Sequence, residues 1–150
     1  MTSDYGLVER EIRDAFAAPI SATDAMRRVV EILKARVPAY TWVGIYQLIG
    51  DELVLGPFLG APSPHTRIPL GRGICGAAAT ERSTIIVDNV HSDPRYLACS
   101  IETQSEIVVP VMRNGTVLGE IDIDSDTPAA FGPRDKQLLE AAAALLAVNM

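Results

Sequence analysis

Residues 106–124 read EIVVPVMRNGTVLGEIDID, and this stretch decides the fold. Two runs rich in β-branched residues flank the turn at residues 113–115, and an Asn-Gly pair between such runs is a strong signal for a β-hairpin. In the second run, Glu120, Asp122 and Asp124 alternate with isoleucines. Side chains alternate between the two faces of a strand, so we predict that these three carboxylates leave the same face. Because like charges on one face repel each other, a protein either keeps such a face in water or uses it.

The rest of the chain predicts helices and further strands around this hairpin. Apolar spacing and capping residues predict helices over residues 4–17, 22–37, 74–81 and 133–150. Runs of β-branched and aromatic residues predict strands over residues 40–49, 52–59, 83–87, 106–112 and 116–124. Residues 60–69 and 89–104 are predicted to be loops. Hairpins at both ends of the sheet indicate mostly antiparallel pairing, so we expect one α+β domain over residues 1–150, with the terminal helices on one face of the sheet.

Composition excludes several classes of function. The chain has 150 residues with a formal net charge of −6 and no run of lysine and arginine, so we expect neither nucleic acid nor a membrane as a partner. It has no apolar stretch of about 18 residues, the length that a membrane-spanning helix needs. Its first residues lack the basic and apolar regions of a signal peptide, which predicts a cytoplasmic protein. The sequence contains neither a CxxC nor an HExxH pattern, so we expect no metal site.

Two cysteines, Cys75 and Cys99, are candidates for chemistry. Two thiols are too few for a disulfide-stapled scaffold, so each is either a buried spectator or reactive. Cys99 lies in the aperiodic polar segment 89–104, where it is either a nucleophilic thiolate or an ordinary buried cysteine. Acids nearby would raise its pKa, so a nucleophile here would need help from a helix end or from the substrate.

Cys75 stands next to glycines near the start of the predicted helix 74–81. Free backbone N–H groups and the helix dipole at such an end favour a thiolate. We therefore weigh two interpretations of Cys75. It is either a resolving or second redox thiol, or a small residue chosen for tight packing between glycines.

Three acids and two aromatic residues complete the set of candidates. Glu106, Asp122 and Asp124 are expected to form a cluster in which mutual repulsion raises the pKa of one carboxyl group, so that it can donate a proton at neutral pH. The alternative is a solvated sheet face. Trp42 and Tyr46 share strand parity, so both rings should point to one side. They either wall a pocket for a small apolar or thioether group or pack in the core.

Several motifs together resemble the free methionine-R-sulfoxide reductase family over residues 40–148. They are YTWVGIY at 40–46, LGPF at 55–58, IPLGRGICG at 68–76, AC at 98–99, SEIVVP at 105–110 and IDIDS at 121–125. The resemblance implies a GAF-type fold, with an antiparallel sheet, helices on one face and a ligand pocket on the other. It also implies an enzyme that reduces the free amino acid methionine-R-sulfoxide, with a homodimer as a possible assembly.

The resemblance also implies roles for individual residues. Cys99 matches the family's nucleophile, and Cys75 matches a further cysteine. Glu106, Asp122 and Asp124 match the carboxylates around the substrate. The rings of Trp42 and Tyr46 match the aromatic pocket.

The chain departs from the family pattern at a position that matters for recycling. The family commonly has a cysteine ten residues before Cys75, and this chain has His65 there. The residues flanking the Ala-Cys pair also differ, with Tyr96 and Ser100 in place of a histidine and an aspartate. Either Cys75 takes over the recycling role, or an external thiol reduces Cys99 directly, or turnover is lost and only binding remains.

The hypothesis that follows is reduction by a thiol. The Cys99 thiolate attacks the sulfoxide sulfur, an acid of the cluster protonates the oxygen, and Cys99 becomes a sulfenic acid. Cys75 condenses with it to a disulfide, which a thioredoxin-type reductant opens. No metal or organic cofactor is required. The alternatives are a GAF-type small-molecule-binding domain, for which residues 1–150 show no accompanying output domain, and a thiol redox sensor without turnover.

Overall fold

Six strands form one antiparallel sheet in the computed structural model, which describes residues 4–98 and 100–150. The elements in chain order are α1 (Tyr5–Ala15), α2 (Ala22–Arg36), β1 (Trp42–Ile49), β2 (Glu52–Leu59), β3 (Arg67–Pro69), α3 (Gly73–Glu81), β4 (Ile85–Val87), a 3-10 turn (Val90–Ser92), β5 (Ser105–Arg113), β6 (Thr116–Ser125) and α4 (Pro133–Asn149). The strands lie in the order β3-β2-β1-β6-β5-β4, and every neighbouring pair is antiparallel. The predicted α+β class and antiparallel pairing are confirmed.

Capping residues start the helices where the sequence predicts them. The Asp4 side chain accepts a hydrogen bond from the backbone N–H of Leu7 at 3.2 Å, and Ser21 accepts one from Asp24 at 3.1 Å. Each bond satisfies a backbone donor that has no partner within its own helix. Pro133 is the first residue of α4, where its missing N–H costs nothing.

The β5–β6 hairpin turns at the predicted Asn-Gly pair. Asn114 and Gly115 both have positive φ, at 54° and 79°, which is the conformation that a two-residue type I′ turn requires. The turn pairs Arg113 with Thr116, and a register shift between Val111 and Met112 then brings Glu106 opposite Asp124 and Val108 opposite Asp122. Strand β6 also pairs with β1, so it lies near the middle of the sheet.

The two faces of the sheet are buried in different cores. One core lies under α1, α2 and α4 and takes Ile121 and Ile123 from β6. The other lies under α3 and takes Trp42 and Tyr46 from β1. The terminal helices therefore cover one face, as predicted, and leave the opposite face to α3 and to the connections around it. No helix in the described part of the chain combines the length and the apolar character that crossing a membrane requires.

The predicted loop 60–69 is wrong at its end, because Arg67–Pro69 forms the short strand β3. This strand pairs with residues 52–54 of β2 at the edge of the sheet. Proline lacks a backbone N–H, so a proline-rich stretch argues against a strand unless that strand lies at an edge. The available edge of β2 outweighs this local preference.

Asp135 joins three elements through one buried carboxylate. Its Oδ1 accepts hydrogen bonds from the hydroxyls of Tyr5 at 2.7 Å and Tyr40 at 2.6 Å, and its Oδ2 accepts one from the backbone of Gly132 at 2.9 Å. Burial and the neighbouring carboxylate raise the pKa of Tyr5 to about 12. This contact fixes α1 and the start of β1 against α4.

Replacement of Asp135 with alanine should lower the free energy of unfolding by about 2–4 kcal/mol, because it leaves the buried Tyr40 hydroxyl without its acceptor. Asp135→Asn keeps one acceptor oxygen and should lose less. Urea unfolding of both variants checks this. An alanine variant as stable as the parent would show that the network contributes nothing.

Candidate active site

The acids of β6 are buried. Glu120, Asp122 and Asp124 are 0%, 2% and 3% exposed, and Glu106 on β5 is 6% exposed. The intervening Ile121 and Ile123 lie in the core under the terminal helices. The predicted alternation is therefore confirmed, and the alternative of a solvated acidic face is wrong.

The strand register places this acidic row next to the aromatic residues. In β1, Trp42 lies opposite Asp124, Gly44 opposite Asp122 and Tyr46 opposite Glu120. Directly opposed residues of an antiparallel pair share a face, so the rings and the carboxyl groups project to the same side of the sheet. The prediction that Trp42 and Tyr46 share a side is confirmed.

Cys75 enters the same cluster from α3. Its Sγ and carboxyl oxygens of Glu106 and Asp122 all lie within 4.8 Å of one another. Burial raises the pKa of the Cys75 thiol well above its usual value, and Asp122, Glu120 and Glu106 raise it further. The expectation that the helix end favours a Cys75 thiolate is therefore wrong, since desolvation and three nearby acids outweigh the helix dipole.

The carboxyl groups of the cluster also favour their neutral forms. Burial is the main cause that raises the pKa of Glu120, Asp122 and Asp124 above the ordinary carboxyl values. For Glu120 and Asp124, the charge of Asp122 raises the pKa further. Carboxyl groups in this environment can hold protons at neutral pH and donate them to a bound oxygen atom.

The spacing of these groups could also hold a metal ion, with one sulfur and two oxygen ligands from Cys75, Glu106 and Asp122. No short sequence motif contains these three ligands, because they come from α3, β5 and β6 and are far apart in the sequence. Glu120 is likewise absent from the predicted site residues. Its parity with Asp122 is the signal that could have included it.

The aromatic residues are anchored by their polar atoms. The indole N–H of Trp42 donates to the Ala61 carbonyl at 2.9 Å, and its ring stacks on Phe58 with centroids 5.7 Å apart. The indole lies over Gly44, where any Cβ would collide with it, which explains a glycine inside this strand. The Tyr46 hydroxyl donates to the backbone carbonyl of His65 at 2.7 Å.

Two small cavities border the acids. One of about 10 Å³ is lined by Tyr46, His65, Ile68, Gly73, Ile74, Cys75, Leu97, Glu106 and Asp122. The other, of about 60 Å³, is lined by Thr41, Trp42, Ala61, Ser100, Glu102, Thr103, Asp124 and Asp126. Leu97 borders the first cavity and Ser100 the second. Cys99 itself lies outside the described residues.

His65 contacts Ala98. Its Nε2 lies 3.0 Å from the carbonyl oxygen of Ala98, the residue before Cys99 in the sequence. The structure thus brings Cys75, Glu106 and Asp122 together at one cavity, with Tyr46 on its wall and His65 beside them. It places Trp42 and Asp124 at the other.

Comparison with known proteins agrees with this geometry. The GAF domain family matches residues 21–150. The chain is 43% identical over 101 residues to GAF domain-containing protein A of Dictyostelium discoideum, a match that covers 67% of this chain and 63% of that protein. It is 33% identical over 136 residues to the free methionine-R-sulfoxide reductase of Escherichia coli, which covers 91% of this chain and 82% of the relative.

A solved structure extends the match to nearly the whole fold. The free methionine-R-sulfoxide reductase of Neisseria meningitidis in complex with its substrate superposes with a TM-score of 0.93 at 35% identity, over 99% of this chain and 92% of that chain. The GAF fold implied by the sequence is confirmed. The chain belongs to the free methionine-R-sulfoxide reductase family, a family of oxidoreductases within the GAF-domain proteins.

Proposed function

We propose that this protein reduces free methionine-R-sulfoxide to methionine, with Cys99 as the nucleophile. The observation that carries the proposal is the row of buried carboxyl groups, with raised pKa values, beside the cavities that Leu97 and Ser100 border. Reduction of a sulfoxide needs a proton for the departing oxygen, and neutral buried acids supply one. Relatives named for this reaction support the choice of substrate.

In the first step, the Cys99 thiolate attacks the sulfoxide sulfur and takes over its oxygen. One of Glu106, Asp122 and Asp124 donates a proton to that oxygen. Methionine leaves, and Cys99 becomes a sulfenic acid. The rings of Trp42 and Tyr46 hold the S-methyl end, since sulfur packs favourably against aromatic rings.

In the second step, Cys75 condenses with the sulfenic acid to form a disulfide and water. A thioredoxin-type thiol then reduces the disulfide by exchange. The short spacing between Cys75, Glu106 and Asp122 supports this role, since it places the second thiol beside the acids that serve the first step. A single domain over residues 1–150, a homodimer and a cytoplasmic location belong to the same proposal.

The test is NADPH consumption coupled through thioredoxin and its reductase, with the R and S epimers of free methionine sulfoxide compared. We expect at least about tenfold faster turnover of the R epimer, because a site built around one oxygen position rejects its mirror arrangement. Turnover would also show that a chain with His65 in place of the usual cysteine can recycle. Equal rates for the two epimers, or disulfide formation with peroxide and no methionine release, would overturn the proposal and favour a redox sensor.

A further inference from the structure

Glu120 is the most deeply buried acid of the cluster, and the first step described above does not use it. It is 0% exposed. Among residues 4–98 and 100–150, neither of its carboxyl oxygens makes a hydrogen bond of normal geometry. A buried carboxyl group left in this state is costly, and proteins seldom keep one without a functional reason.

The surroundings of Glu120 connect it to the second thiol. The Cys75 thiol interacts with its carboxyl group and partly offsets the cost of its burial. Asp122 follows two residues later on the same face, and its charge also acts on Glu120. Across the sheet, Glu120 lies opposite Tyr46 on β1 and Pro110 on β5. Glu120 thus interacts with a thiol and an acid that both border the smaller cavity.

Cys75 needs a base before it can react. Burial and three nearby acids keep it in the thiol form, whereas attack on a sulfenic acid requires the thiolate. We propose that Glu120 is a catalytic base of the recycling step, which takes the proton of Cys75 and returns it through Asp122 to the departing hydroxyl group. This inference rests on the proposed function, because it assigns a role in the second half of that reaction.

The protons balance over the two steps. In the first step, the cluster gives one proton to the sulfoxide oxygen, so Cys99 becomes a neutral sulfenic acid and the cluster gains one negative charge. In the second, that charge lets Glu120 accept the Cys75 proton. The Cys75 sulfur forms the S–S bond, the S–O bond of Cys99 breaks, and the cluster returns the proton to the hydroxyl group, which leaves as water.

This order has a functional consequence. Before the first step, the cluster holds its proton and Cys75 stays an unreactive thiol. After methionine has formed, the new carboxylate makes Cys75 reactive at the moment when a sulfenic acid is available. The first step would therefore switch on the second without a change of fold.

The experiment separates the two steps in the full chain. Enzyme in excess is mixed with free methionine-R-sulfoxide without external reductant. Methionine release is measured by rapid quench, and the Cys99 sulfenic acid is trapped with dimedone and quantified by mass spectrometry. The variants are Glu120→Gln and Glu120→Leu, with Cys75→Ser as the reference for blocked recycling and Glu31→Gln, an exposed residue of α2, as the control for the substitution. Glu120→Leu keeps the test valid if Glu120→Gln does not fold, since an apolar side chain needs no hydrogen-bond partner in a buried position.

We expect both Glu120 variants to convert the added sulfoxide to methionine at a rate within about threefold of the parent, and to form the disulfide at least about tenfold more slowly. The sulfenic acid should then accumulate as it does in Cys75→Ser, while Glu31→Gln behaves like the parent. Disulfide formation at the parental rate in either folded variant would overturn the inference while leaving the first step intact. Absence of methionine release from the parent would instead overturn the proposed function itself.

Discussion

Cys99→Ser should lower methionine release from methionine-R-sulfoxide by more than about 1,000-fold, a loss typical of removing a catalytic nucleophile. A serine hydroxyl is a far weaker nucleophile than a thiolate, and it cannot accept the sulfoxide oxygen to form a sulfenic acid. Single-turnover quench with radiolabelled substrate measures the release directly.

Cys75→Ser is the matched control, because it makes the same change in the other cysteine. It should release about one methionine per chain and then stop when thioredoxin is the reductant. The two variants therefore separate the attacking thiol from the recycling thiol. Methionine release from Cys99→Ser at a rate near that of the parent would show that Cys99 is not the nucleophile.

Asp122→Asn should lower the rate of methionine release by about 100- to 10,000-fold, the range that a positioned general acid contributes. An amide of the same shape cannot give its proton to the departing oxygen. Asp122 is 2% exposed and shares the smaller cavity with Cys75 and Glu106. Retention of most of the single-turnover rate in this variant would assign the proton to Glu106 or Asp124 instead.

The same variant should change how stability depends on pH. Burial raises the pKa of Asp122 in the folded protein above that of an unfolded aspartate, which is near 4. Such a group makes its full contribution to the free energy of unfolding when the pH is below the pKa of the unfolded state. That contribution is lost as the pH rises through the pKa of the folded state. The amide introduced by Asp122→Asn does not titrate, so the free energy of unfolding of the variant should improve relative to the parent between about pH 5 and pH 8.

Urea unfolding at pH 5 and pH 8 measures this difference. Asp93→Asn is the control, because Arg95 holds the pKa of Asp93 below its usual value. Asp93 is then ionised in both states throughout this range, and its removal should shift stability by a small offset that does not change with pH. If the curves of Asp122→Asn and the parent run parallel between pH 5 and pH 8, the Asp122 pKa is not raised.

Local sequence signals predict the parts of the fold that depend on near neighbours. The Asn-Gly turn and the alternation of residues 120–124 are sufficient to predict the hairpin and the face shared by Glu120, Asp122 and Asp124. Ser21 was sufficient to predict the start of α2. These features involve residues within a few positions of one another, so their geometry follows from backbone preferences and strand parity.

Contacts between distant residues escape such reasoning. Strand β3 forms because β2 offers an edge, although the local sequence is rich in proline. His65 meets Ala98 across 33 positions, and no spacing rule predicts that pairing.

The sequence by itself therefore determined the strand alternation, the hairpin and the family resemblance. Only the tertiary structure decided the direction in which the pKa values of the site shift. For Cys75, the sequence and the tertiary structure predict opposite shifts of the pKa. The helix end favours a thiolate, whereas burial against Asp122, Glu120 and Glu106 favours the thiol. The physical reason is that a pKa depends on every charge and every lost water molecule within a few ångströms. That environment is assembled here from α3, β5 and β6, which are brought together only when the chain folds.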